Sequence, residues 1–450
     1  MKQIRKSLIS IMFTGTFLIP VLSKSQDTAD VKQLSLKEAI DLGIKNSKQL
    51  RASEARIEEA EGALRAAKDN KLPGASISGT YMRLATPTIS VKTNALKFGG
   101  QDSSGGGSNG PINQAMYGSL NVSMPIFAGG KIRYGIESAQ YLEQAAKLDA
   151  DNDKEAVILN TINAYINLYK AGVTLDVIKA NLQQSTQRDS VLSRLEQNGL
   201  LARNDLLKAK LQTSNIELSV LDAENNLKIA NVNMDLMLGL PEQTKLIIDS
   251  TGFDQQMDIK TLADYEQLAL QNRKDVQALS FRQKAATAGI AAAKGDLYPS
   301  VALTGGYIAA DIPHFIAITN AATVGVGIKY DISSLWKTKS KIMQAQVREK
   351  EIEANEALLD DGIRLGINQD YENYLLSNKK IEVYRQAVEQ ATENYRITKN
   401  KYDNNLVNTT DLLDANVSLL QSQISLAVGK ADVLLAYERL LQSAGLISNN

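Results

Sequence analysis

The sequence lacks cysteine entirely and contains one histidine, His314, among its 450 residues. Without cysteine the chain has no disulfide framework, no thiol nucleophile and no N-terminal lipid attachment site, so its stability must come from packing. One histidine is too few for a histidine-rich zinc site or for a Ser-His-Asp triad in each half of a repeated chain. The composition therefore argues against an enzyme, and no cofactor or metal is expected.

Long apolar runs are also missing. The N-terminal run, residues 8–22, is shorter than the roughly 20 residues that a membrane-spanning helix needs. It follows three basic residues and precedes a small-residue site at 23–25, a pattern typical of a signal peptide. We therefore predict a signal peptide at residues 1–25 and an exported mature chain. A short membrane anchor is the alternative, but polar residues and Pro20 interrupt the run.

The chain has no large excess of charge of either sign, with 50 basic and 50 acidic residues. Removing the predicted signal peptide takes away four basic residues and leaves a formal charge near −4. This balance disfavours nucleic acid as a partner. Because no mature segment is a long uninterrupted apolar run, a membrane crossing would have to use strands closed into a barrel.

What the sequence does contain is a long internal repeat. Residues 226 apart match in the first part of each half, and residues 206 apart match in the second part. The matching pairs include Asn46 with Asn272, Pro73 with Pro299, Tyr81 with Tyr307, Asp205 with Asp411, and Gly239 with Gly445. One supersecondary plan is thus used twice. We predict two structural repeats, residues 26–240 and 261–446, joined by a connecting segment at 241–260.

The first half carries about twenty extra residues, as the difference between the two separations shows. The glycine- and serine-rich stretch at residues 99–110 is the obvious insertion, and its composition suits a flexible exposed loop. It matches the short patterns GxGxxG and GxSxG, which mark dinucleotide sites and hydrolase nucleophiles when a strand precedes and a helix follows. Pro111 follows here and no helix pattern begins, so neither site is expected.

Each half shows the same order of helix and strand patterns. Good helix formers with apolar residues three and four apart predict a single helix over residues 36–71, stopped by Pro73. Alternating residues then predict two strands, followed by a long proline-free helix and a returning helix. The predicted strands are residues 75–83, 117–126, 301–308 and 323–332, and the predicted later helices are residues 131–197, 204–238, 337–403 and 409–443.

The predicted elements define a fold class. Four strands of roughly ten residues suit tilted barrel staves, but four strands cannot close on themselves. Three copies would supply twelve strands and leave room for a lumen. Ile158, Ile162, Tyr165 and Tyr169 form a heptad-like seam for helix packing. The prediction is a mainly α chain with a small β part: a long α-helical barrel plus four strands per chain contributing to a shared trimeric transmembrane β-barrel.

Short motifs recur in this order in both halves. They are the opening Leu36…Ala39…Leu42…Asn46, the stops Pro73 and Pro299, the junction PIFAGG at residues 125–130, and the sequences DLLKA at 205–209 and DLLDA at 411–415. With them the mature chain resembles the TolC outer membrane efflux protein family over essentially its whole length. The resemblance implies a homotrimer in the lipid of the bacterial outer membrane, a periplasmic helical barrel, and docking to a periplasmic adaptor (membrane fusion) protein and an inner-membrane pump.

The same resemblance implies the site. In the family the tips of the helical hairpins form the periplasmic entrance, and acidic side chains ring it; Asp411 and Asp414 fall on those positions. Tyr402 and Asp205 match further constriction residues. Val407 departs from the pattern, since it stands where an arginine helps to lock the tip. The alternative is that these aspartates only sit near helix N-termini, where the dipole favours a carboxylate.

The function expected from these observations is that of an outer-membrane channel subunit in an efflux or secretion system. It would be a passive duct, because no P-loop occurs and the energy must come from a partner. The alternative is a periplasmic coiled-coil scaffold or adaptor without a pore, which would explain the helices but not the two strand hairpins. Trp336, just after the last predicted strand, suits a membrane boundary, and His314 suits a surface loop.

Overall fold

The computed structural model describes residues 31–85, 113–249, 253, 257–313, 316–404 and 406–447. The predicted signal peptide, the stretch at 99–110 and His314 lie outside these residues. The helices and strands are, in order, β1 (Val31–Leu34), α1 (Leu36–Asn46), α2 (Lys48–Asp69), β2 (Gly74–Arg83), β3 (Gln114–Ala128), α3 (Lys131–Gln197), α4 (Arg203–Leu238), β4 (Lys245–Ile248), α5 (Leu262–Asn272), α6 (Lys274–Lys294), β5 (Ser300–Ile312), β6 (Ile316–Lys329), α7 (Ser334–Asp403) and α8 (Thr409–Ser443).

The four long strands form one antiparallel sheet in the order β2-β3-β5-β6, so β2 and β6 are its edges. Within the first hairpin Gly74 lies opposite Ser123, and within the second Ser300 lies opposite Lys329. Gly74 and Ser300 are 226 residues apart, and Ser123 and Lys329 are 206 apart, which are the two separations of the sequence repeat. The repeat therefore extends to the register of the strands, and β3 and β5 join its two halves.

The four predicted strands of the hairpins and the four predicted later helices are confirmed in number and order, with shifted ends. The largest shift is at the last strand, predicted over 323–332: β6 begins at Ile316 and ends at Lys329, and α7 begins at Ser334. Between them the Asp331 carboxylate accepts the backbone N–H of Ser333 at 3.0 Å. This short turn brings the chain into the helix, and the alternation of apolar residues did not reveal it. Trp336 follows, exposed, in the first turn of α7.

The prediction of a single helix over 36–71 is wrong, because the helix is broken at Ser47. Ser47 has an extended backbone, and its hydroxyl accepts the backbone N–H of Leu50 at 3.2 Å. The cause lies in tertiary packing. Asn46 donates its side-chain amide to the Leu238 carbonyl at 2.6 Å, and Gly239, with φ +69°, ends α4 against Asn46. The second half repeats the break at Arg273, which donates to the Ser443 carbonyl at 3.2 Å.

A two-stranded parallel sheet, β1 with β4, was not predicted at all. The connecting segment 241–260 supplies β4. The Tyr165 hydroxyl on α3 lies 3.0 Å from the Leu34 carbonyl and 2.9 Å from the Asp249 carbonyl, so it holds both strands to the long helix. Strands of four residues are too short for an alternation pattern to be recognised.

The main hydrophobic core surrounds this small sheet. Ile158, Ile162 and Tyr165 of the predicted seam are buried there, and the Tyr169 ring stacks on Phe253 at 4.2 Å. The seam is therefore a core position, as its spacing indicated. None of the helices in the described ranges combines the length and the apolarity that a membrane-spanning helix needs.

Candidate functional site

Each half ends in a helical hairpin whose tip is a short turn, tip 1 between α3 and α4 and tip 2 between α7 and α8. Both turns begin with an asparagine that closes the long helix. Asn198 donates its side-chain amide to the Arg194 carbonyl, and Asn404 donates to the Asn400 carbonyl, each at 2.7 Å. Three of the four predicted entrance residues lie on tip 2 or at its start.

At tip 2 two reciprocal hydrogen bonds between Asn408 and Asp411 cap the first turn of α8. Asn408 accepts the backbone N–H of Asp411 at 2.9 Å, and the Asp411 carboxylate accepts the backbone N–H of Asn408 at 3.3 Å. Asp411 therefore does cap the helix, as the alternative interpretation expects. Its side chain is nevertheless exposed, and so is Asp414 one turn further on. Tip 2 thus presents two carboxylates to solvent.

At tip 1 the arrangement differs. Ala202 occupies the cap position and offers no side-chain hydrogen bond to α4. The Asp205 carboxylate, partly buried in the first turn, lies 3.7 Å from the ammonium group of Lys208. Its charge is therefore balanced within its own helix.

Tyr402 connects the two tips. It comes from the last turn of α7 and packs against Leu192, Leu206 and Ala209 of the first hairpin, beside Asp205. Its hydroxyl lies 3.4 Å from that of Thr409, a buried residue at the start of α8. The structure therefore brings Tyr402 and the neighbourhood of Asp205 together.

Arg188 on α3 is a residue of this region that the sequence did not reveal. Its guanidinium donates to the Ser185 hydroxyl at 3.1 Å, while its buried Nε has no hydrogen-bond partner among the described residues. Burial lowers the pKa of Arg188, against the opposing influence of Tyr395, Asp189 and Tyr402. Because the two tyrosines belong to α7, more than 200 residues away, no local motif indicates the contact.

A comparison with known protein families shows which kind of protein has these two helical hairpins. The family described as outer membrane efflux protein matches residues 39–240 and 266–446. The chain belongs to the outer membrane efflux protein family. It is an outer-membrane channel subunit for efflux, and its long helices form the periplasmic part. The family is one of transport channels, so the channel interpretation is favoured over the scaffold or adaptor.

Individual relatives of this efflux protein are distant in sequence but similar in extent. Nodulation protein T of Rhizobium leguminosarum bv. trifolii is 22% identical over 418 residues, covering 87% of this chain and 81% of the relative. Outer membrane protein TolC of Escherichia coli (strain K12) is 24% identical over 375 residues, covering 76% and 71%. The solved structure of the CmeC outer membrane channel of Campylobacter jejuni superposes with a TM-score of 0.74 at 17% identity, covering 92% of this chain and 86% of that one, and so shares the fold.

Away from the tips, carboxyl groups on the helices of the efflux protein include two with clearly raised pKa values. Burial raises the pKa of Glu438 on α8 to about 7 and that of Asp235 on α4 to about 6. Asp235 accepts a hydrogen bond from the Asn231 side chain at 2.7 Å. Across the described ranges, no three histidine or acidic side chains gather as a metal site would require. We therefore expect the ionisation of Glu438 and Asp235 to affect the stability of α8 and α4, and not the binding of a metal.

Proposed function

We propose that three copies of this efflux protein form one passive export duct, and that Asp411, Asp414, Tyr402 and Asp205 form its periplasmic entrance. The observation that carries the proposal is the charge of tip 2. Asp411 and Asp414 are exposed there, and within the described residues neither takes part in an ion pair, whereas Asp205 is balanced by Lys208.

The number of copies follows from the sheet. Among the described residues, no strand pairs with the outer edge of β2 or of β6, and the sheet exposes large apolar side chains such as Ile77, Val324 and Ile328. Open strand edges are not tolerated in lipid, so further copies must pair with them. Two copies would supply eight strands and an interior filled by side chains; three supply twelve and a lumen. The partners of the sheet are then other copies of the chain and outer-membrane lipid.

The remaining parts of the proposal concern export and energy. Residues 1–25 act as the signal peptide, and residues 26–240 and 261–446 act as equivalent halves around the connecting segment 241–260. The duct performs no catalytic step. Because it has no nucleotide-binding motif, a periplasmic adaptor and an inner-membrane pump supply the energy and the cargo.

Threefold symmetry would bring six carboxylates of tip 2 around one axis. Like charges crowded together repel one another and raise the local concentration of cations. The entrance should therefore favour cation passage, and multivalent cations should bind the ring and block the pore. Tyr402, which joins tip 2 to the first hairpin, would set how far the tip can move outward.

The test is conductance in planar bilayers. The double variant Asp411→Ala with Asp414→Ala should remain assembled but lose cation selectivity and block by multivalent cations. The matched control, Glu217→Ala with Asp222→Ala, removes the same charge from exposed positions on the shaft of α4. If the tip variant keeps the selectivity and block of the unaltered channel, these aspartates are helix-end charges and the entrance lies elsewhere.

A further inference from the structure

A groove runs between α3, α6 and α7, near the end of these helices that lies next to the sheet. Its cavity volume is about 500 Å³, which is in the range of small-molecule sites. Cationic and apolar side chains line it together, and none of the described side chains that line it is acidic. A cavity of this composition suits a ligand that is anionic and partly apolar.

The floor of the groove is formed by α6, which has only small residues there: Ala285, Ala286, Gly289 and Ala293. The Ser138 hydroxyl of α3 donates to the Ala285 carbonyl at 2.9 Å, so the two helices lie close together. A Cβ atom added at Gly289 would meet no atom of another helix within 4 Å. The space above Gly289 is therefore open to a ligand.

The two walls of the groove occupy equivalent positions in the repeat but differ in chemistry. Leu142 of α3 is 49% exposed, and the residue 206 positions later is Arg348 of α7, which is exposed as well. Both side chains line the groove. At this level the α3 wall offers hydrocarbon, whereas the α7 wall carries a guanidinium group.

Three cationic side chains surround the floor, and they differ in their partners. Arg282 pairs with Asp149, and the ammonium group of Lys341 lies 2.8 Å from the Asp296 carboxylate, so two of the charges are largely balanced. Arg348 forms no ion pair with any described residue. A guanidinium group binds carboxylate and phosphate oxygens in pairs, and a sulfonate presents similar oxygens. Arg348 can therefore receive an anionic group at the edge of the groove.

The groove faces away from the main hydrophobic core. Leu142 precedes Ile158 by 16 residues and Ile162 by 20, which places it roughly 160° to 200° around α3 from them at about 3.6 residues per turn. The small sheet β1/β4 and α1 pack on the side of Ile158 and Ile162. In a tube built from several copies these added elements must lie outside, because inside they would fill the lumen. The groove then lies on the lumen wall.

We propose that this groove binds small organic anions inside the duct. The anionic group, a carboxylate, sulfonate or phosphate, contacts Arg348 with Lys341 beside it, and the hydrocarbon part lies against Leu142 and the floor around Gly289. This inference rests on the proposed duct for the direction in which the groove faces, and it adds a class of ligand that the wall of the duct can hold.

The groove is far from the acidic residues of tip 2. From Arg348 to the end of α7 at Asp403 the helix extends roughly 80 Å, at about 1.5 Å per residue. Charges are screened over a distance of about 8 Å at physiological salt. The charge of tip 2 therefore does not determine the potential in the groove, and the two sites can be tested separately.

A cysteine on the floor measures the charge of the groove, because the chain has no cysteine of its own. Gly289→Cys in the purified full chain is labelled with the anionic sulfonatoethyl or the cationic trimethylammonioethyl methanethiosulfonate. We expect the anionic reagent to be favoured by at least about fivefold over the same ratio at Gly362→Cys. Gly362 is an exposed glycine on α7 whose added Cβ would also meet no other helix.

Arg348→Gln added to Gly289→Cys should lower this preference by about threefold or more, because it removes the cation without an ion pair. Equal preferences at positions 289 and 362 would overturn the charge assigned to the groove. The same preference with and without Arg348 would overturn the role of this residue.

Protection from labelling identifies the class of ligand. Naphthalenesulfonate should slow the reaction of Gly289→Cys with an uncharged thiol reagent by at least about fivefold, under conditions where inorganic sulfate and the uncharged naphthalenemethanol slow it by less than about twofold. Leu142→Gln should weaken this protection and leave the preference for the anionic reagent unchanged. Equal protection by inorganic sulfate would overturn the apolar part of the proposal, and no protection by any of the three would reject binding.

Two controls separate the groove from the assembly. Native mass in detergent that shows no trimer of the unaltered chain would reject the duct, whereas labelling still reports on the groove of each chain. If Gly289→Cys fails to assemble, Ala286→Cys on the same floor replaces it, and the same preference and protection are expected there.

Discussion

The two hairpin tips have nearly the same sequence and different charge. Tip 1 continues into α4 as DLLKA and tip 2 into α8 as DLLDA, so Lys208 stands where the second half has Asp414. Lys208 balances Asp205, whereas Asp411 and Asp414 form no ion pair among the described residues. The same motif thus holds a paired aspartate at tip 1 and two aspartates without an ion pair among the described residues at tip 2.

Exchanging this position should have the largest effect. Asp414→Lys gives tip 2 the charge pattern of tip 1, because the new ammonium group lies three residues after Asp411 as Lys208 lies after Asp205. Six negative charges in the proposed ring become three negative and three positive. We expect the ratio of cation to anion permeability in planar bilayers to fall by about tenfold or more.

The converse exchange, Lys208→Asp, tests whether tip 1 stands further from the axis of the pore. It adds negative charge to tip 1 and should change the permeability ratio several-fold less than Asp414→Lys does. A larger effect of the change at tip 1 would mean that the first hairpin lines the entrance, and would reverse the comparison.

A second contrast between the halves concerns buried charge. Glu438 on α8 corresponds to Val232 on α4, and burial raises the pKa of Glu438 from 4.5 to about 7. As the pH rises, the unfolded chain ionises first, so stability is fullest below about pH 4.5 and falls until about pH 7. Glu438→Gln removes this dependence and should stabilise the chain at pH 8 by up to about 3 kcal/mol, and little at pH 4.

Thermal denaturation at pH 4, 6 and 8 measures this effect. The matched control is Glu353→Gln, which changes an exposed glutamate on α7 and should leave the pH dependence of the melting temperature unchanged. The same melting-temperature shift for Glu438→Gln at all three pH values would show that the carboxyl group does not titrate in this range.

The smallest expected effects concern the helix caps. Asn408 caps α8, while its counterpart Ala202 leaves α4 without a side-chain cap. Asn408→Ala should destabilise tip 2 by about 1 kcal/mol, and Ala202→Asn should stabilise tip 1 by a similar amount. Hydrogen exchange of the amides in the first turn of each helix measures both. Equal protection in the two unaltered tips would contradict the difference in capping.

The sequence was sufficient for the long elements because each carries a sustained pattern and appears twice. The repeat separations predicted both hairpins of the sheet and both helical hairpins. The break at Ser47 was not predicted, although Asn46 and Ser47 are residue types that favour helix ends. It is imposed by Gly239 and by the hydrogen bond from Asn46 to Leu238, nearly 200 residues away.

The residues of the proposed entrance could be predicted from the sequence only in part, for a related reason. The resemblance of local motifs supplied Asp205, Tyr402, Asp411 and Asp414, and their roles at a pore remain predictions. Arg188 has no motif, because its significance depends on the approach of α7 to α3. The contact of Asp205 with Lys208, by contrast, follows from their spacing of three residues on one helix.

Where the helices meet the sheet, Asp296 binds both Lys131 of α3 and Lys341 of α7 at 2.8 Å. Beside it Gly129, with φ +61°, sits so close to the Gly295 carbonyl that a side chain there would collide. The two longest helices, α3 with 67 residues and α7 with 70, are thus held together at the end that lies next to the sheet. At about 1.5 Å per residue they reach roughly 100 Å, so one degree of tilt at this end moves a tip by roughly 2 Å. A tilt of this size would widen the proposed entrance at the far end by about the width of an ion, with no change in the strands.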